Sequence, residues 1–333
     1  MSLRRRLLIV VGLFGMVTLV VLLWAPTVGS TSISLSRAFD TRVPWTDNVD
    51  AQIFFVARLP RVLAGALIGA TLAAAGVVLQ ALMRNPLATP FTLGVSAGAA
   101  LGAMLAIAFG LDVGALGVSS VPIASFLGSL AAIAIVYGLA SSQTRGLSTN
   151  VLLLAGVTLN SFFSALILFV QYLADFAESF RTVRWLMGDL DVGSYGPILA
   201  ATPFIVAAFA VFAGMPRALN LLTMGEDMAA SRGVEVARAQ RWAFFSASLA
   251  TGAAVSLGGP VGFIGIVVPH LVRLMVGSDH RLVLPAATLF GAAFLVLCDL
   301  VARTIMAPLE IPVGIITALI GGPFFLWLLV RQS

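Results

Sequence analysis

The 333-residue chain contains no lysine: all 19 of its basic residues are arginine. That excludes a P-loop, whose lysine reaches the terminal phosphates of a nucleotide, and it excludes a lysine Schiff base. Charge of either sign is scarce, at 10% of residues, against about 25% in soluble domains. A single cysteine, Cys298, leaves no intrachain disulfide and no cysteine metal cluster; its apolar neighbours mark it as a packing residue. The two histidines, His270 and His280, are too scattered for a metal site. There is no His-Glu-x-x-His and no pair of intramembrane aspartates, so no catalytic residue and no metal ligand is assigned. The formal charge of +5 is too thinly spread among apolar runs for a nucleic-acid surface.

Apolar surface is what the chain has in excess: 60% of residues are hydrophobic and the mean hydropathy is +1.06. At about 20 residues per bilayer crossing, this provides for roughly ten spans and little else. The expected architecture is one all-α, polytopic membrane domain over residues 1–333 with no appended soluble domain. Charges and prolines divide it into candidate helices at about 7–24, 62–83, 90–109, 121–141, 150–172, 194–214, 242–257, 261–277, 283–302 and 311–330. Arg61 and Arg84 bracket the clearest of these. Gly258, Gly259 and Pro260 interrupt the stretch holding the seventh and eighth, and the eighth is expected to be short or broken. Arg4, Arg5 and Arg6 precede an uncharged run from Leu7 to Trp24 that is long for a cleaved signal and lacks a clear cleavage site, so it is read as a retained first span.

Basic residues near span ends favour the cytoplasm. With the N-terminus inside, the inner segments hold twelve arginines and the outer segments seven. Both termini are therefore expected to be cytoplasmic. Spacings of four between Gly65, Gly69 and Ala73, and between Gly94, Gly98 and Gly102, predict closely packed helix pairs.

Three features stand out against this background. The longest inner connection, about 216–241, reads as two short helices hinged near Gly225 and stopped at Gly233, with Glu226 and Asp227 near the second N-terminus, where the helix dipole favours acids. It is either a solvated connector or a docking helix for a cytoplasmic partner. At the outer mouth, Arg58, Arg61 and Arg303 are either snorkelling anchors or a ring of positive charge for an acidic partner. In the fifth span, Gly156, Asn160, Ser164 and Gln171 share one narrow face, which suits either interhelical hydrogen bonds or a water-accessible path. Asp299, the one acid inside a span, is placed to pair with Arg303 one turn on. The alternative use of Asp299 is as the coupling acid of an ion-driven secondary transporter.

Taken together, these residues resemble the FecCD-type permease subunits of type II ABC importers, which take up ferric siderophores, haem and cobalamin. The resemblance rests on Arg58-Leu-Pro-Arg61, Gln80-Ala-Leu-Met-Arg84-Asn-Pro-Leu-Ala88, Leu93-Gly-Val-Ser-Ala-Gly98, Gly225-Glu226 to Gly233, Gly259-Pro-Val-Gly-Phe-Ile-Gly-Ile-Val-Val-Pro-His270, Asp279-His-Arg281 and Pro308-Leu-Glu-Ile-Pro-Val-Gly314, and it covers nearly the whole chain. It implies ten helices with helices two to five and seven to ten as an inverted pair, and a second permease copy or related subunit, with the path between the two. It also implies cytoplasmic ABC ATPase subunits that use the ATP, and a periplasmic or lipid-anchored substrate-binding protein. No cofactor is implied for this chain, and its location would be the inner (plasma) membrane. The resemblance assigns ATPase coupling to Leu222, Gly225, Glu226, Asp227, Ala230, Arg232 and Gly233. It assigns binding-protein docking to Arg58, Arg61 and Arg303, the cytoplasmic gate to Ser148 and Thr149, and the path to the fifth helix with Asn160, Ser164 and Gln171. One departure is Arg232, where the family usually has leucine or a similar apolar residue.

Overall fold

The computed structural model describes residues 2–111, 119–141 and 149–332. Its long elements are helices: α1 (Leu3–Trp24), α2 (Leu59–Met83), α3 (Val95–Ala108), α4 (Ser120–Ser141), α5 (Thr149–Leu173), α6 (Phe176–Leu186), α7 (Gly196–Gly214), α8 (Pro216–Leu222), α9 (Glu226–Ser231), α10 (Val236–Gly258), α11 (Ile264–Val276), α12 (His280–Thr304) and α13 (Val313–Gln332). Each of the ten predicted segments overlaps one of these helices. Among the described residues, six helical segments are long and apolar enough to cross a bilayer, and α3 and α11 are shorter apolar helices.

The two short helices α3 and α11 have the same local cause. Thr89 caps a tight turn at Pro90–Leu93, and Gly94 (φ +76°) then starts α3. Gly259 (φ +69°) ends α10, and Phe263 (φ +68°) starts α11. The predicted segments 90–109 and 261–277 therefore each begin with residues that are not α-helical, and the expected break after Gly258 is present.

α2 is the centre of the bundle; from Val62 to Met83 nearly every residue is buried. Its neighbours α10, α11 and α12 reach it across glycine. A methyl group on Gly76 would come within 2.7 Å of Gly265 Cα, and one on Gly69 within 2.8 Å of Leu295 Cβ and closer still to Gly291. Gly98 and Gly102 meet Gly128 and Ala124 on α4 in the same way. Where neither lipid nor partner helix is more apolar than the other, such close backbone approach supplies the packing energy. The pairing is reciprocal: α2 lies against α11 and α12, while α10 lies against α3 and α4. That is the arrangement two interlocked copies of one four-helix unit would give.

Segments predicted on one side come together at one end. Arg6 donates to the Val276 carbonyl (3.2 Å), and Arg84 lies 3.7 Å from Glu226. At the opposite end Arg303 donates to the Ala25 carbonyl (2.8 Å) and the Tyr195 hydroxyl to the Phe55 carbonyl (2.7 Å). The amphipathic helix α6, which has no counterpart among the predicted segments, lies at this second end; Asp175 caps it through the Glu178 amide.

Candidate functional site: a coupling segment and an outer arginine cluster

The 216–241 connection folds as predicted into two short helices. Gly225 separates α8 from α9 at φ +115° and Gly233 follows at φ +84°, conformations that suit glycine far better than other L-residues. Glu226 and Asp227 occupy the first turn of α9. Glu226, Asp227, Ala230, Arg232 and Gly233 are exposed and Gly225 half-buried. Leu222 is 3% exposed, and Leu219 and Ala229 are also buried. Met224 and Met228 are 72% and 45% exposed.

The segment is fastened to the bundle by polar groups. The Asn220 side-chain amide donates to Asp279 Oδ1 (2.8 Å), and Asn220 Oδ1 accepts from the His280 backbone N–H (2.9 Å). Asp279 also caps α12 through the Arg281 amide and pairs with the Arg281 guanidinium (2.7 Å). The hydrogen bond from Arg281, reinforced by Asn220, holds the Asp279 carboxyl well below the usual carboxylate range. Gln240 on α10 donates to Glu226 (3.1 Å), tying α9 down at its N-terminus. Deeper, the Gln80 amide donates to the Gly265 carbonyl (3.0 Å) where α2 crosses α11.

At the end opposite the 216–241 connection the arginines are not an open ring. Arg61 pairs with Asp299 (2.9 Å) and Glu310 (2.5 Å), and Arg303 lies 3.6 Å from Asp299. Side-chain exposure is 12% for Arg61, 3% for Arg303 and 1% for Asp299. Arg58 is buried and donates to the carbonyls of Pro26 (3.2 Å) and Thr31. A buried guanidinium needs acceptors for its five N–H groups. Here the turn after α1 supplies carbonyls and α12 supplies a carboxylate. Three arginines and two carboxylates leave one net positive charge, with Arg61 and Glu310 its most accessible members. The predicted Asp299–Arg303 pair is present, and Arg61 completes it as a triad.

On α5, Asn160 and Gln171 are half-buried and Ser164 is exposed. Gly156 is buried against the Pro90–Leu93 turn. The stripe borders a broad apolar face carrying Phe162, Leu168, Phe169 and Tyr172, each more than half exposed. Ser148 lies outside the described residues. Thr149 is the first residue of α5.

The model of the FecCD transport family matches residues 16–331. The haemin transport system permease HmuU of Yersinia pestis is 38% identical over 96% of this chain and 95% of its own. The cobalamin import permease BtuC of Halobacterium salinarum is 45% identical over 82% of this chain and 72% of its own. A structure described as an inward-facing metal-chelate type ABC transporter superposes with a TM-score of 0.84 at 32% identity, covering 97% of this chain and 99% of that one. With this match, nearly end to end, the chain belongs to the FecCD transport family and is a multi-pass membrane permease of an ABC importer.

Proposed function

We propose that this chain is the conduit through which a bulky metal chelate or corrinoid, of the siderophore, haem or cobalamin class, moves inward across the plasma membrane. Residues 1–333 act as one membrane domain with both termini cytoplasmic, paired with a second permease copy or a related subunit. ATP is hydrolysed by separate ATPase subunits that grip α8 and α9; a chain without lysine has no P-loop of its own. An external binding protein delivers the cargo over the Arg58, Arg61 and Arg303 end, where Arg61 is the arginine still within reach of a partner's carboxylate. The gate lies near Ser148 and Thr149, and the weakly polar stripe of Asn160, Ser164 and Gln171 suits a bulky cargo that must not stick.

The observation that carries this reading is the coupling segment: an exposed pair of short helices, hinged on Gly225 and locked by Asn220 to Asp279 and His280. A push delivered there has a stiff purchase on the bundle. The chelate class rests on relatives named for haemin and cobalamin and on the metal-chelate type structure.

The test is reconstitution. Vesicles holding the permease with its ATPase subunits should import a labelled chelate only with a cognate binding protein outside and ATP inside. Import by the chain alone, driven by a proton or sodium gradient, would overturn the reading. A cognate binding protein that holds a bare oxyanion would overturn the cargo class while leaving the ATP-driven mechanism standing.

A further inference from the structure

The outer ends of α4, α6, α7 and α10 enclose a recess that the transport reading does not use. It has a volume of about 310 Å³, and its charged lining is Arg181, Arg184, Asp189 and Asp191, with Trp185 beside them. Pro122, Pro197, Ser256 and Leu257 line this recess and also an apolar cavity of about 130 Å³, one to two turns deeper between α4 and α7. The two form a single cleft, charged at its mouth and apolar below. Leu127 and Phe204 on its flanks are 59% and 42% exposed, so the cleft opens sideways on the surface where α4 and α7 also expose Leu139, Leu199 and Val206. On a membrane-spanning chain that surface faces lipid.

The charges at the mouth are not all satisfied by one another. Arg184 is paired with Asp189 at 3.1 Å. Among the described residues, Arg181 has no carboxylate and Asp191 no cation within 4.0 Å; Asp191 accepts only the Gly193 amide, at 3.3 Å. The recess thus holds one uncommitted cation and one uncommitted anion, with no net charge overall. A purely anionic headgroup would leave Asp191 repelled. A zwitterion carrying a phosphate and an N–H-bearing ammonium matches both groups.

We propose that this cleft binds a phosphatidylethanolamine molecule, with its phosphate on Arg181, its ammonium on Asp191, and the start of one acyl chain between α4 and α7. Trp185 at the mouth would then lie at headgroup level, where amphipathic rings are favoured. The ammonium donates hydrogen bonds to the Asp191 carboxylate, which a quaternary choline cannot do. The proposal needs only that the chain spans a membrane. It is independent of the cargo and of the partner assignments.

Native mass spectrometry tests it without any transport assay. The permease–ATPase complex, stripped in detergent, is offered equal amounts of phosphatidylethanolamine, phosphatidylcholine and phosphatidylglycerol. The expected result is retention of phosphatidylethanolamine over the other two by about two- to fivefold, the range for one exposed charge contact. Asp191→Asn should abolish the preference over phosphatidylcholine, and Arg181→Gln should lower retention of all three. Both positions are exposed and outside the coupling and docking segments, and size-exclusion profiles verify that the variants stay folded. Phosphatidylglycerol held as well as phosphatidylethanolamine, occupancy by detergent only, or an unchanged pattern in both variants would each overturn the assignment.

Discussion

Removing the Asp299 carboxylate is the sharpest perturbation of the outer cluster. Distance and burial rank its two acids in opposite orders. Glu310 sits nearer to Arg61, at 2.5 Å, but its side chain is 40% exposed, whereas Asp299 at 2.9 Å is 1% exposed. An exposed ion pair contributes about 0–1 kcal/mol after screening and side-chain entropy. Removing one partner of a buried pair costs about 3–5 kcal/mol, because the remaining charge stays in a medium that solvates it poorly. Asp299 serves two buried arginines, yet Arg61 would keep Glu310 and Arg303 the Ala25 carbonyl. The expected loss for Asp299→Asn is therefore near the lower end, about 3 kcal/mol, and for Glu310→Gln below about 1 kcal/mol. Unfolding of the purified permease in mixed micelles of dodecyl maltoside and SDS, followed by tryptophan fluorescence, gives both numbers. Equal destabilisation by the two variants would refute the burial argument, and an unperturbed Asp299→Asn would refute the triad itself.

Other expectations follow from the coupling segment and the helix crossings. Asn220→Leu removes a hydrogen bond to a charged acceptor and strands the His280 N–H, a loss of about 1–3 kcal/mol; chelate imported per ATP should fall in proteoliposomes, and an unchanged ratio would dismiss the link. A Gly225→Pro, Gly233→Pro double variant forces φ near −65° where the chain uses +115° and +84°, and it should hydrolyse ATP without transport. Gly76→Leu should prevent α2 and α11 from meeting and lower the yield of monodisperse protein, whereas Gly12→Leu, which has open space around it, should not. Arg61→Glu should weaken binding-protein docking in a manner that rising salt diminishes; docking indifferent to salt would argue against a carboxylate partner. Because the native Asp279 carboxyl is held low, its stabilising effect is complete above its unfolded value of about 3.9 and is lost only as pH falls toward the lower native value. The attachment of α8 should therefore be level from pH 8 to 5, and only the wild type, not Asp279→Asn, should show the acid limb.

The helices were legible because a bilayer asks one simple thing of a sequence: an apolar run of sufficient length. Gly225 and Gly233 were legible because they punctuate a polar connector. The outer cluster was not. Arg61 looked like a free cation because its partners Asp299 and Glu310 are 238 and 249 positions away, beyond any local pattern. The amphipathic helix α6 was not legible as a span because it has only 11 residues and carries Glu178, Arg181 and Arg184.

One helix, α12, is stitched to other parts of the protein at both of its tips. At its first turn Asn220 grips Asp279 and the His280 amide; at its last, Asp299 and Arg303 hold Arg61 and the Ala25 carbonyl. Its 25 residues span about 37 Å at 1.5 Å per residue, with Gly291 interlocked on Gly69 partway along. A tug on the first turn cannot be absorbed by sliding against α2. Either the far tip moves with it, or one of the two knots comes undone.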